Sequence, residues 1–331
     1  MYNFYQSAIR RDIQKEVYKN PHFVMHLFGT EYFGVIKEKK IGPWKLKRHQ
    51  ILGVQLPDDE ELVKKELEHA KKKLQAESGD IFLQLGIVNE IVRFENAHNI
   101  APEFAHDMRA VRLELRKNME QKYQLKSSFR ENMPQAGIIY NVTKSDEDLF
   151  KDMNESCRKR IKKAIVQGLE FRELGQHQHE TFFAKWQETA GKKGFNTITK
   201  TQYQDLLKYL AEDKGMLIGA FLDGEMIAGT ICLFDGEFII CPYGFYDRKF
   251  GNIGAQHFLK FKLFSWAREH GFVYVDTGGG APTGFPEHEL VGVTKFKESL
   301  GGEKIEYYGN YDVVINKFLY WVFKLWYTLR K

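Results

Sequence analysis

A glycine-rich turn stands directly before a predicted helix in the second half of the chain. The segment Arg248-Lys249-Phe250-Gly251-Asn252-Ile253-Gly254-Ala255 leads into a helix predicted over 252–269. Free backbone N–H groups and the positive end of the helix dipole at such a position favour a bound phosphate. An ordinary turn, whose glycines serve only the backbone geometry, explains the pattern at least as well.

Basic residues cluster on a second predicted helix, which ends at Gly168. They are Arg158, Lys159, Arg160, Lys162 and Lys163. Contacts to a phosphate backbone require cations rather than one fixed geometry, so this helix is a candidate nucleic-acid contact. A solvated helix face explains the cluster equally well.

Other chemically active residue types give weaker signals. Asp276, in the segment YVDTGG, either holds a turn through its side-chain oxygens or takes part in proton transfer. Cys157, Cys232 and Cys241 are too few and too scattered for a disulfide framework or a zinc site. We therefore expect no metal site and a reduced, cytoplasmic setting.

Length and composition limit the class of protein. The chain has 331 residues, 43% of them hydrophobic and 28% charged, which excludes a disordered or collagen-like chain. This length predicts two domains or one large one. The net charge of +5 is too small to indicate nucleic-acid binding from bulk charge alone. No signal-peptide pattern and no apolar window of about 18 residues occurs, so we expect no membrane span.

The predicted elements alternate between helices and strands. In the first half, strands are predicted over 49–56 and 81–88, with a charged helix between them. The alternation over 109–116 predicts another strand. In the second half, Asp223-Gly224 and Asp235-Gly236 predict two hairpins of an antiparallel meander. A helix and the strand FVYVDTGG follow, an order typical of a GNAT-type acyltransferase domain with a mixed sheet.

The last residues of the chain are unusually aromatic. Phe318, Tyr320, Trp321, Phe323, Trp326 and Tyr327 stand beside Lys317, Lys324, Arg330 and Lys331. Such a segment either lies on a membrane surface or packs its rings on a core as a closing helix.

Several motifs together resemble the Fem family of aminoacyl-tRNA-dependent peptidyltransferases, which build the interpeptide bridges of peptidoglycan. The resemblance is continuous over about 141–320. Its residues are Arg158, Ile161, Ala164 and Gly168, then Tyr243-Gly244, Tyr274, Asp276, Gly278-Gly279, Phe296-Lys297, Gly301-Gly302, Tyr308-Gly309, Asp312, Val314, Asn316 and Tyr320.

The resemblance implies an α/β fold of two tandem GNAT-like acyltransferase domains with mixed, largely antiparallel sheets flanked by helices. The first domain would span 1–140, apparently shortened, and be completed by the C-terminal helix within 312–331. The second would span 141–311 and carry the catalytic residues. On this basis the aromatic tail is interpreted as a closing helix.

The resemblance also assigns roles to residues. The family's catalytic lysine, preceded by phenylalanine, corresponds to Lys297 with Phe296. Its precursor-binding lysine corresponds to Lys37, and its central-strand tyrosine to Tyr243. An arginine–tyrosine pair of the family has Lys200 and Tyr203 as its nearest equivalents. A solvent-exposed turn remains an alternative explanation for Lys37, and ordinary strand packing remains one for Tyr243.

The implied reaction moves an amino acid from aminoacyl-tRNA to an amine of a nucleotide-linked or lipid-linked muropeptide. Aminolysis of the ester requires stabilisation of a tetrahedral oxyanion, which a fixed cation such as Lys297 supplies. No covalent intermediate and no cofactor is needed, with the tRNA as co-substrate. We expect a monomer in the cytoplasm, with peripheral membrane contact left open. The alternatives are an acyl-CoA-dependent N-acyltransferase and a non-catalytic binding protein.

Overall fold

The computed structural model describes residues 3–76, 79–193 and 198–330. The strands are β1 (His22–Leu27), β2 (Thr30–Ile41), β3 (Trp44–Val54), β4 (Asp80–Phe94), β5 (Lys126–Ser127), β6 (Ala136–Asn141), β7 (Glu170–Glu173), β8 (Gly215–Leu222), β9 (Glu225–Asp235), β10 (Phe238–Tyr246), β11 (Tyr274–Gly280) and β12 (Glu303–Val314). The helices are α1 (Ala8–Asp12), α2 (Glu60–Gln75), α3 (Pro102–Tyr123), α4 (Asp146–Asp152), α5 (Glu155–Val166), α6 (His179–Lys193), α7 (Lys200–Tyr209), α8 (Ala255–Glu269), α9 (Val291–Ser299) and α10 (Lys317–Thr328).

The strands form one continuous sheet in the order β1-β2-β3-β4-β12-β6-β11-β10-β9-β8-β7, with β5 on β12. Neighbours are antiparallel except β3–β4 and β10–β11. Strand β12 joins the two halves, because it pairs with β4 along most of its length and with β6 at its start. A mixed, largely antiparallel α/β fold is therefore confirmed. The boundary at 140 and the division into two domains stay predictions, and the outermost residues 1 and 331 lie outside the described residues.

The two predicted hairpins are present in the second half of the sheet. Asp223 and Gly224 connect β8 to β9 with φ of 50° and 80°, the left-handed backbone of a type I′ turn. Gly236, with φ of 58°, turns β9 into β10. Glycine is favoured at such positions because it lacks a Cβ.

The strand predicted over 109–116 is wrong, since these residues lie inside α3. The buried side of this helix includes Met108, Arg112 and Met119, so a charged residue occupies one of its core positions. Meanwhile Val111 and Leu113 are exposed. A buried arginine and exposed aliphatic residues hide the helical period and imitate the alternation of a strand.

The C-terminal helix α10 packs on the first half of the sheet. Its Phe323 is buried with Leu46, Ile81 and Phe82, and Tyr320 and Trp326 pack around this cluster. The Tyr320 hydroxyl donates a hydrogen bond of 2.9 Å to Asp312 at the end of β12. Among the described residues, no helix has the combination of length and apolar character that crossing a bilayer requires.

Candidate active site

The sheet opens between β10 and β11. These strands pair in parallel only over Phe238–Ile240 and Tyr274–Asp276, although both continue further. Beyond that point β10 has a bulge against β9 and β11 has one against β6. Bulges bend strands and redirect their backbone groups. We call the place where these two strands stop pairing, at the centre of the second half of the sheet, the opening.

Lys297 reaches the β11 side of this opening from α9. Its Nζ donates a hydrogen bond of 2.6 Å to the carbonyl of Gly279, within the bulge. Its own carbonyl accepts a hydrogen bond of 2.8 Å from the Tyr140 hydroxyl, which fixes the helix. The residue is only 8% exposed. Burial lowers the pKa of Lys297 to about 8, against the opposing attraction of Asp276.

Phe296 and Asp276 support this lysine from two sides. The Phe296 ring packs edge-on against His257, with centroids 4.8 Å apart, in the core under α8. Asp276 accepts a hydrogen bond of 2.6 Å from the backbone N–H of Gly278, so it holds the turn that carries Gly279. Burial raises the pKa of the Asp276 carboxyl. Of its two proposed roles, the structure therefore shows the turn-holding contact directly.

Tyr243 lies on the β10 side of the opening. Its hydroxyl forms a hydrogen bond with the hydroxyl of Tyr18, and its ring packs on Trp186 at 4.8 Å. Burial raises the pKa of Tyr18, and the Tyr243 hydroxyl adds to this effect. The Tyr18 phenol therefore stays neutral at physiological pH, and the two hydroxyls share one hydrogen bond.

Lys37 lies in a cluster of cations on β2, β3 and the segment before β6. Its Nζ donates a hydrogen bond of 2.6 Å to the side-chain oxygen of Asn20. Burial, together with the positive charges of Arg48, Arg10 and Arg130, lowers the pKa of Lys37 to about 8. The side-chain atoms Nη1 of Arg48 and Nε of Arg130 are buried without a hydrogen-bond partner. Positive charges that lie close together and have free hydrogen-bond donors are stabilised by a bound anion.

The segment 3–20 connects these groups, and the sequence analysis missed it. Asn3 and Gln6 donate hydrogen bonds to the carbonyls of Gly53 and Leu52, which dock the segment on β3. Ile9, Ile13 and Val17 pack on the second half of the sheet. Their spacing of four residues is a helical signal that sequence reasoning could have used.

Arg10 of this segment carries a positive charge that acts on several neighbouring groups. Its charge acts on the pKa of Tyr5, of Tyr18 and of Lys37. Tyr5 in turn feels the charge of Asp276, the partner of Lys297. Lys37 and Tyr243 thus each form a hydrogen bond with this short segment, through Asn20 and Tyr18.

Lys200 and Tyr203 lie elsewhere, on α7. The Lys200 ammonium forms an exposed ion pair with Glu180 at 3.1 Å. Tyr203 is 2% exposed, stacks on Phe183 at 4.5 Å and donates a hydrogen bond to the carbonyl of His179. Tyr203 also packs on Trp186, the ring on which Tyr243 packs, with centroids 6.3 Å apart. It therefore belongs to the hydrophobic cluster that includes Tyr243, whereas Lys200 lies at the surface.

The basic helix α5 presents part of its charge to solvent. Lys159, Lys162 and Lys163 are exposed, whereas the Arg158 guanidinium donates to the carbonyls of Lys151 and Met153. Arg158 therefore holds the end of α4, and only the three lysines are available as a surface cluster.

The glycine-rich turn before α8 is packed against α5. Lys163 donates a hydrogen bond of 3.2 Å to the carbonyl of Asn252. A Cβ at Gly254, where φ is 81°, would lie 2.4 Å from the carbonyl oxygen of Arg160. Close helix packing thus explains this glycine without a phosphate. Across the described ranges, no group of three or more His, Cys, Asp or Glu side chains is placed to hold a metal ion.

Comparison with known proteins finds similarity to a GNAT domain family over part of the second half of the chain. Residues 151–288 match the acetyltransferase (GNAT) domain family. The lipid II:glycine glycyltransferase of Staphylococcus aureus is 28% identical over 144 residues, which cover 41% of this chain and 34% of that protein. The Staphylococcus saprophyticus protein of the same name is 28% identical over 125 residues, 38% and 29% of the two chains. The chain thus spans about a third of the length of these curated relatives.

A solved structure extends the similarity over the whole fold. The crystal structure of FemX matches with a TM-score of 0.65 at 16% identity, covering 96% of this chain and 94% of that one. Both halves of the sheet, including β1–β4 and α10, therefore follow an established architecture.

Proposed function

From the confirmed resemblance to the Fem family, we propose that this protein is an aminoacyltransferase. It would move an amino acid from aminoacyl-tRNA to an amine of a peptidoglycan precursor peptide. The observation that carries the proposal is Lys297, a buried cation held by the carbonyl of Gly279 at the opening between β10 and β11. The names of the glycyltransferase relatives and the FemX fold support the same acyl transfer.

The chemistry follows from the position of Lys297. The acceptor amine attacks the ester carbonyl of the charged tRNA, an amide bond forms and the ribose hydroxyl leaves with a proton. A preorganised cation in a water-poor site stabilises the oxyanion that develops on this path. The hydroxyls of Tyr243 on β10 and of Tyr18 in the N-terminal segment would orient the donor or the acceptor peptide.

The cation cluster around Lys37 is proposed to bind the precursor. Nucleotide-linked and lipid-linked muropeptides both carry a diphosphate, which matches the unpartnered donors of Arg48 and Arg130. Charge-assisted hydrogen bonds to phosphate oxygens would remove the repulsion between these cations.

Replacing Lys37 or Arg48 with alanine should raise KM for the precursor about tenfold to hundredfold, the loss expected for one hydrogen bond between charged groups. The value of kcat should change little, because these residues lie away from the reacting ester. Steady-state kinetics with varied precursor concentration would measure both constants. Lys45→Ala is the matched control, since Lys45 is on the same strand as Arg48 and is exposed. An unchanged KM for the precursor in the Lys37→Ala and Arg48→Ala variants would contradict a role of the cation cluster in acceptor binding.

The remaining parts of the proposal concern partners. The exposed lysines Lys159, Lys162 and Lys163 would contact the tRNA backbone, which needs cations rather than a shaped pocket. The tRNA would act as co-substrate with no further cofactor. We propose that the protein works as a monomer in the cytoplasm, at the inner face of the membrane when the acceptor is lipid-linked.

A transfer assay tests the function. The protein is incubated with a set of charged tRNAs and with nucleotide-linked and lipid-linked muropeptides, and the acceptor mass is followed. A mass increase equal to one amino acid residue is expected with one donor. No increase with any charged tRNA would exclude the donor assignment. Precursor affinity without any turnover would favour the non-catalytic binding protein.

The activity should depend on pH through Lys297. Below its pKa of about 8 the lysine is a cation, and above that value it loses the charge that stabilises the oxyanion. We therefore expect kcat/KM to fall as the pH rises above about 8. Lys297→Arg should move this fall to higher pH, because a guanidinium keeps its proton. A profile that is still rising beyond pH 9 (roughly one unit above the pKa) would contradict the role of a fixed cation.

One observation favours a second function, transfer from acyl-CoA. Residues 151–288 match a family described as acetyltransferase. Acetyl-CoA that raises the melting temperature of the protein and acylates an amine would support this alternative. The packing of Gly254 on Arg160 at the turn before α8 argues against it.

A further inference from the structure

The C-terminal helix α10 has an apolar face that is largely exposed. Its inner side buries Phe323 in the cluster with Leu46, Ile81 and Phe82. Its outer side presents an exposed stripe, formed by Phe318 (59% exposed), Trp321 (59%), Leu325 (43%) and Leu329 (77%). The spacing of three, four and four residues places these side chains on one face of the helix. The tail thus closes the core with one side and leaves the other free.

The exposed stripe continues beyond the helix. The ring of Phe318 contacts the ring of Trp44, with centroids 6.1 Å apart, and Trp44 is itself 40% exposed. Trp44 begins β3 after an exposed turn at Gly42 and Pro43. Two tryptophans and a phenylalanine therefore share one surface with two leucines. Contiguous apolar surface of this kind marks a binding site rather than chance exposure.

Cations border the stripe. Lys317 and Lys324 project from α10, and within the described part of the chain neither has a carboxylate at ion-pair distance. Lys39 and Arg330 lie over the ring of Trp326, at 5.2 and 4.7 Å from its centre. By contrast, Lys64, Lys71, Lys122 and Lys126 on the neighbouring α2 and α3 region are each paired with a glutamate. Uncompensated positive charge therefore borders the apolar stripe.

We infer that α10 docks the protein on an anionic lipid bilayer, with the stripe in the interface and the bordering cations at the headgroups. A helix with an apolar face rich in tryptophan and with lysine at its borders has the chemistry of an interfacial helix. A second copy of the chain fits less well, because a two-fold contact through the stripe would bring Lys317, Lys324 and Arg330 towards their own counterparts. Anionic lipid compensates these charges instead.

The proposed acceptor site lies against α10, on the side that carries Phe323 and Tyr327 rather than the stripe. Arg48 contacts the ring of Phe323 and Arg130 contacts the ring of Tyr327, at 5.4 and 4.8 Å from the ring centres. The same arginines belong to the cation cluster around Lys37. A bilayer bound at α10 would present the diphosphate of a lipid-linked acceptor to this cluster. This last step rests on the proposed function, whereas the docking itself does not.

Vesicle co-sedimentation tests the docking without any substrate. The full chain is mixed with vesicles of phosphatidylglycerol and phosphatidylcholine in equal parts, and with vesicles of phosphatidylcholine alone. We expect binding to the anionic vesicles and a blue shift of tryptophan fluorescence. The double variant Phe318→Ser/Trp321→Ser should bind at least about tenfold more weakly, because it loses most of the aromatic surface. Lys317→Glu/Lys324→Glu should lose the preference for anionic lipid.

Matched controls separate docking from unspecific adhesion. Ile165→Ser/Val166→Ser removes two exposed apolar residues from α5 and should bind as the unaltered protein does. The double variant Lys151→Glu/Lys208→Glu makes the same charge change at two exposed lysines that are not on α10. Circular dichroism verifies that each variant is folded.

Three outcomes would overturn the inference. They are no binding of the unaltered protein to anionic vesicles, equal binding of the stripe variant, and a concentration-dependent dimer in sedimentation analysis that the stripe variant abolishes. Because vesicle binding needs no tRNA and no muropeptide, its failure is distinct from failure of the transfer assay.

Discussion

Replacing Lys297 with methionine is expected to lower kcat of aminoacyl transfer by about a hundredfold to a thousandfold, the cost of removing one preorganised oxyanion-stabilising group. Methionine has a similar length and no charge, so the substitution removes the cation and keeps the packing of α9. Single-turnover transfer from charged tRNA, with both substrates saturating, would measure the effect on the chemical step.

Stability provides a second readout for this variant. The pKa of Lys297 is lowered by burial, which means that the folded state carries a cost for holding the charge at neutral pH. Methionine removes that cost, so the melting temperature of Lys297→Met should be equal to or above that of the unaltered protein. Loss of activity together with retained or increased stability is the signature of a catalytic rather than a structural role.

The same helix offers the matched control. Lys295 is two residues earlier on α9 and is exposed. Lys295→Met makes the same chemical change without entering the opening, so kcat should stay within about twofold of the unaltered protein. Equal activities of the Lys297 and Lys295 variants would contradict the assignment of Lys297.

The sequence was informative about this site where its residues lie in one continuous motif. Phe296, Lys297 and Asp276 lie close together in the chain and share the turn at Gly278 and Gly279. The cation cluster was different, because Lys37, Arg48 and Arg130 come from separated segments. Only the pairing of β2 with β3, and the packing of the segment before β6, bring them together.

The N-terminal segment shows a second limit of sequence reasoning. Tyr5, Tyr18 and Asn20 carry no motif, and their importance arises from where residues 3–20 dock. Docking depends on amide side chains such as Gln6, which bonds to the backbone of two strands. Contacts of a side chain with distant backbone leave no periodic signal, since any surface loop has the same residue types.

A buried ion pair gives the second large effect that we expect. Arg112 of α3 is 2% exposed, and its guanidinium pairs with the fully buried carboxylate of Glu306 on β12. It also donates hydrogen bonds to the carbonyls of Tyr307 and Gln135, at 3.0 and 2.9 Å. Glu306 accepts two further bonds from Thr283. This network joins α3 to the sheet where β12 bulges against β4 and its pairing with β6 ends.

Arg112→Ala should lower the free energy of unfolding by about 3–5 kcal/mol, because it leaves the Glu306 carboxylate and two carbonyls buried with lost partners. Urea unfolding at neutral pH would measure the loss. Arg109→Ala is the matched control on the same helix, since Arg109 forms an exposed ion pair with Glu287 at 3.3 Å. That variant should lose no more than about 1 kcal/mol.

The double variant Arg112→Met/Glu306→Leu tests how much of the stability loss comes from leaving one member of the ion pair buried without its partner. With both ions removed, the buried Lys304 ammonium still pairs with Glu298 at 2.8 Å, so the protein should regain part of the stability that Arg112→Ala loses. The network also holds the bulge that carries Tyr307, because Arg112 donates to the Tyr307 carbonyl. A double variant that recovers stability but transfers slowly would show that Arg112 positions β12 for catalysis. Equal losses of stability in Arg112→Ala and Arg109→Ala would refute the buried pair as a principal support of this fold.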